Sequence, residues 1–262
     1  MKAMVALLGA AVLAVAACDS GDGSPTGGYV AAGGAGGGSG SGGTSPGTGG
    51  ISGTGGTPGT GGGSSASCDP DPLATGLVAQ QTGVAVDSFD CEILEWTAHY
   101  NEPDPMIFKA IMYVESRFDR TAVGCPNLPC GQPSGWSTDE CGCFGLMQVV
   151  PACGGTPDNA GLLANGHPNM ATDESSSEWT GSIFNPDNNI HIGIAGVAGN
   201  RAQVEQQFPV CTQEQYTLMA IGNYNSYGST KSCTEYNTDY DSAVLDAYHT
   251  YAAAAGYTEH AY

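Results

Sequence analysis

Basic side chains are scarce. Six Lys plus Arg stand against 26 Asp plus Glu, a formal charge of −20 over 262 residues. Nucleic-acid binding rests on neutralising phosphates, so this balance argues against it; excess acid by itself serves solubility and names no partner. Long strand patterns are also missing. So are paired C-x-x-C units and an H-E-x-x-H string, which removes the usual zinc signatures. No metal or cofactor is expected. The longest apolar stretch, Ala3 to Ala17, has 15 residues and is too short to span a bilayer as a mature helix.

That stretch follows Lys2 and has the form of an export signal covering residues 1–17. It ends Leu13-Ala14-Val15-Ala16-Ala17-Cys18. Small residues before a cysteine resemble the bacterial lipobox, which implies a lipid on Cys18 and a membrane-anchored protein facing the periplasm. Ordinary secretion with Cys18 in a disulfide is the alternative. Residues 18–67 are Gly, Ser, Thr, Pro and little else, with no apolar periodicity. They are expected to form a disordered tether whose root-mean-square reach is on the order of 40 Å. Residues 68–262 have the composition of a globular domain, about one domain long.

Ten cysteines in an exported chain read as disulfides. Cys68 with Cys91 and Cys211 with Cys233 are plausible local pairs. Cys125, Cys130, Cys141, Cys143 and Cys153 compete for the rest, and one cysteine stays odd if Cys18 carries lipid.

The domain reads as mainly α. A helix is expected near Cys91 to Tyr100. The next opens at Asp104-Pro105, a cap followed by Pro at the first helical position, and carries apolar residues at 106, 107, 110, 111 and 114. Glu115 lies beside that stripe. Residues 120 to 143 hold Gly, Pro and four Cys without periodicity and read as a disulfide-held loop. A short helix over 145–150 is expected, ended by Pro151. Asn185-Pro186 repeats the cap signal, Thr212 with Gln215 resembles a capping box, and a last helix spans Ser242 to Ala255 before Gly256.

Glu115 is the residue of greatest chemical interest. A lone carboxyl in apolar surroundings holds its proton above the usual range, as cleavage of a glycosidic bond requires. It opens Glu115-Ser116-Arg117-Phe118. Ala122-Val123 follow, then Gly142-Cys143-Phe144-Gly145-Leu146-Met147-Gln148 with Pro151, Asn185-Pro186-Asp187-Asn188-Asn189-Ile190, and Tyr224-Asn225. In order and residue type these strings resemble the lytic transglycosylase family of the soluble type, with a goose-lysozyme-like fold. The likeness runs from about 105 to 228. Departures are Gly124 where the family has a Ser thought to hold the substrate's acetamido group, Cys143 for Ala, Cys153 for Thr, and a longer cysteine-rich interval.

The resemblance implies cleavage of the β-1,4 bond between N-acetylmuramic acid and N-acetylglucosamine in peptidoglycan. Glu115 protonates the leaving oxygen, then takes the proton of the 6-hydroxyl, closing a 1,6-anhydro ring. The resemblance further implies a groove lined by Gln148, Tyr224, Asn225, Ser116 and Met147. Each has a plainer reading: Met147 as core, Ser116 as a hydroxyl turned to its backbone, Tyr224 as packing. Asp119 is expected to be structural. Trp136 lies in the cysteine-rich loop, where it could stack on a sugar. A hydrolytic muramidase and an inactive peptidoglycan-binding lipoprotein are the alternatives. Endo or exo action and oligomeric state stay open.

Overall fold

The computed structural model describes residues 68–124, 137, 140, 142–151, 163–164, 167–226 and 230–262. The signal, Cys18 and the tether lie outside them, as do Trp136 and most of the cysteine-rich loop. Five α-helices carry the described fold: α1 Asp90–Tyr100, α2 Pro105–Ser116, α3 Pro186–Gln207, α4 Gln213–Asn225 and α5 Thr238–Ala255. The strands are two-residue pieces, β1 Val123–Gly124 paired with β2 Cys143–Phe144, and β3 Leu163–Ala164 paired with β4 His167–Pro168. None of the described helices is long and apolar enough to cross a membrane.

α2 is the central element. Its N-cap is Asp104, whose carboxylate accepts from Met106 N, and Pro105 fills the first turn. One apolar stripe was expected, but every residue from Met106 to Met112 is buried. A helix apolar around its circumference has to be wrapped by neighbours, and α5 and α1 pack against it. α3 packs on α4 and α1, and α4 on α5. The main core joins Ile93, Phe108, Ile111, Ile190, Ile194, Ile221, Val244 and Tyr248.

Lys109 is wholly buried in α2, so its ammonium has to be compensated. Its Nζ lies 2.8 Å from Asp87 Oδ1 and 2.7 Å from Asp90 Oδ1, and donates to Leu73 O at 2.6 Å. Burial raises Asp87, but hydrogen bonds from Lys109, Thr75 and Gly76 outweigh it and hold the carboxyl at about 2. For Asp90 burial prevails over Lys109 and lifts the carboxyl to about 6. The cluster ties the segment before α1 to the helix that carries Glu115.

Both local disulfides form, Cys68–Cys91 and Cys211–Cys233. The expected caps form too. Asn185 accepts from Asp187 N and Asn188 N, Thr212 and Gln215 close a capping box, and Gly256 ends α5 at φ 64°. Two expectations fail. Residues 145–148 form a turn, not a helix: Phe144 and Val149 exchange both backbone hydrogen bonds at 3.0 Å, which closes a tight loop. α5 also begins at Thr238, because the Asn237 side chain caps it by accepting from Tyr240 N.

Candidate active site

Glu115 occupies the last turn of α2. The helix stops there because Arg117 and Phe118 take left-handed backbone, with φ 56° and 62°. Such angles are strained for bulky residues and persist only where surroundings impose them. Here they do. Arg117 lies 4.0 Å over the Tyr113 ring and donates to Tyr113 O, while Phe118 is fully buried against Tyr113 and Tyr251. The sharp stop leaves Glu115 half-buried at a helix end.

The turn after β2 forms the facing wall. Gly145 has φ 72°, and a Cβ there would lie 2.4 Å from Asn189 Nδ2. That asparagine is wholly buried and uses both ends of its amide. Nδ2 donates to Phe144 O and Ile183 O, each at 2.8 Å, and Oδ1 accepts from Met147 N at 2.7 Å. Gly193 of α3 lets the turn approach, since a Cβ there would meet the Met147 side chain at 2.5 Å. Gln148, at φ 49°, donates through Nε2 to Gly145 O at 2.9 Å and Ala122 O at 3.3 Å.

α4 and α5 supply two tyrosines. Tyr224, whose ring passes Gly196, donates to Met147 O at 2.6 Å. Tyr240 donates a short hydrogen bond to Glu115 Oε1. Burial holds both phenols well above their ordinary range. The negative charge of Glu115 adds to this in both, and the hydrogen bond to Glu115 adds further in Tyr240. Both stay protonated, so Tyr240 acts as a donor that fixes the carboxyl.

The structure distributes the sequence-derived residues unevenly. Tyr224 is near enough to Glu115 to feel its charge, but its hydroxyl is committed to the Met147 carbonyl, and Gln148 is the next residue along that turn. Met147 itself is fully buried, so its side chain is core, and its carbonyl is taken by Tyr224. Ser116 is 8% exposed and donates back to Met112 O at 3.1 Å, which turns its hydroxyl into its own helix. Asn225 accepts from Asn237 Nδ2 at 2.9 Å and so braces the cap of α5. Asp119 accepts from Thr121 N and Oγ1, a turn-forming role. Gly124 has a steric reason: a Cβ there would stand 2.2 Å from Gln148 Oε1. Tyr240 carried no local signal in the sequence and was missed.

The family model of the transglycosylase SLT domain matches residues 93–241. The chain belongs to this family. The match runs from within α1 to the first turn of α5 and includes Glu115, Gln148, Tyr224 and Tyr240. Membership makes peptidoglycan the substrate class and transglycosylase-type action the general activity. No curated protein and no solved structure gives a match to the chain. Among the described residues no group of His, Cys, Asp and Glu is arranged to hold a metal ion.

Proposed function

We propose that this SLT-family domain cleaves the β-1,4 bond between N-acetylmuramic acid and N-acetylglucosamine without water, leaving 1,6-anhydro ends. The observation that carries the reading is the hydrogen bond from Tyr240 to Glu115 at the end of α2. It supports a single carboxyl held in one orientation by a phenol that keeps its proton. Glu115, as general acid, gives its proton to the leaving glycosidic oxygen while the C1–O bond breaks. The sugar's acetamido oxygen supports the positive anomeric carbon. Glu115, now the base, removes the proton of the 6-hydroxyl as that oxygen bonds to C1. The carboxyl ends as it began, and no water is consumed.

Digestion of purified sacculi by the full chain separates this from hydrolysis on the same fold. Fragments one water lighter than reducing-end sugars are expected. Reducing ends alone would make the protein a muramidase, and binding without release of soluble fragments would make it a binding protein.

A further inference from the structure

Asp241 is a buried acid that the cleavage steps do not use. It lies in the first turn of α5, one residue after Tyr240, and is 3% exposed. Among the described residues neither of its carboxyl oxygens has a hydrogen-bond partner. Neighbours along a helix point to different sides. Tyr240 therefore meets Glu115 of α2, while Asp241 meets α4 at Gly222, where a Cβ would stand 3.4 Å from Asp241 Oδ2 and 3.1 Å from Asn237 N. Among the described residues no basic side chain offsets the acid. The titratable groups that feel its charge are two phenols, Tyr236 before the helix and Tyr240 beside it. The first turn of a helix favours negative charge, yet none of its N–H groups reaches this carboxyl. Burial alone lifts Asp241 to about 8.

We infer that Asp241 is a positioning residue for the reaction: as a neutral acid it keeps Tyr240 on Glu115, and on ionising it releases that contact. A carboxylate without a partner is costly to bury, and the relief is to admit water. Admitting water here means lifting the first turn of α5 off Gly222. Tyr240 belongs to that turn, so its phenol leaves Glu115 as the turn lifts. The side-chain tie between this turn and α4, from Asn237 Nδ2 to Asn225 Oδ1 at 2.9 Å, opposes the movement with one uncharged hydrogen bond. The acid is thereby held in place at neutral pH and released at alkaline pH. The effect on turnover rests on the cleavage reading given above; the movement of the turn does not.

The test compares the full chain with Asp241→Asn, which keeps the shape of the neutral acid and cannot ionise. Turnover on sacculi should agree within about twofold at pH 6. At pH 9 about a tenth of Asp241 keeps its proton, and the variant should be about five- to tenfold faster than the wild type. Comparison at each pH removes the titrations common to both proteins. In the Tyr240→Phe background the same substitution should change nothing at pH 9, because the contact it guards is gone. A merely structural role would show in both backgrounds. Hydrogen exchange over residues 236–244 supplies a readout without cleavage. Protection factors there should fall about tenfold from pH 7 to pH 9 in the wild type and hold in Asp241→Asn. A turnover ratio that does not change with pH, an equal gain in the Tyr240→Phe background, or the same protection in both proteins would each overturn the inference. Protection that falls with pH in a wild type releasing no soluble fragments would preserve the movement and sink the cleavage reading instead.

Discussion

Tyr240 reaches Glu115 from 125 residues away in the chain and donates a hydrogen bond directly to that carboxyl. A hydrogen bond to a charged group is worth about 1.5–3 kcal/mol. Tyr240→Phe keeps the ring in its fully packed place and removes only this bond. Its turnover on sacculi should fall by about ten- to hundredfold, with a small change in melting temperature. Wild-type turnover in Tyr240→Phe would show that the contact does not orient the acid. This residue also marks where sequence reading stopped. Glu115 was legible because its helix and its string are local. Tyr240 was not, because its meaning is a contact between α2 and α5, and because a cap at Asn237 draws it into a helix that periodicity began later. Ser116 and Met147 are the opposite case: their motif is visible, but the Met147 side chain is fully buried and the Ser116 hydroxyl donates to Met112 O.

At the scale of elements, α4 and α5 approach closely where α4 has Gly222. A Cβ there would lie 3.1 Å from Asn237 N and 3.4 Å from Asp241 Oδ2. Asp241 is 3% exposed, and neither carboxylate oxygen has a hydrogen-bond partner among the described residues. Burial lifts it to about 8. A carboxyl whose folded pKa exceeds its unfolded value stabilises the fold fully only below the unfolded pKa, near 4. That stability is lost as pH rises from about 4 to about 8. Asp241→Asn removes the titration. Stability of the variant should therefore gain on the wild type between pH 5 and pH 8, by up to a few kcal/mol. Asp90, lifted to about 6, slopes the same way but is present in both proteins, so the difference isolates Asp241. A pH-independent difference between the two would contradict the account. Helix caps were the elements best written in the sequence, since Asp104, Asn185 and Thr212 each act within one turn. The 145–148 turn was misread as helix because its shape is imposed by Asn189 and Gly193, which lie far along the chain.

At the scale of the whole molecule, a helical SLT domain follows 67 residues whose composition suits an export signal and a tether. The proposal is that a lipid on Cys18 keeps the domain at the membrane while the tether lets it reach the wall. Cys18→Ser is expected to move the protein from the membrane fraction to the soluble fraction in the cell envelope. Membrane retention by that variant would count against the anchor. The acidic balance fits this setting only as solubility, and the substrate class rests on the domain.

The central claim is that Glu115 is the acid and then the base. Mass analysis of sacculi digested by full-length wild type and by Glu115→Gln tests it most directly, because the amide keeps the shape and loses the transferable proton. Anhydro fragments from the wild type, and a fall of at least about a thousandfold in the folded variant, are the predicted result. Anhydro fragments released by Glu115→Gln at the wild-type rate would contradict it.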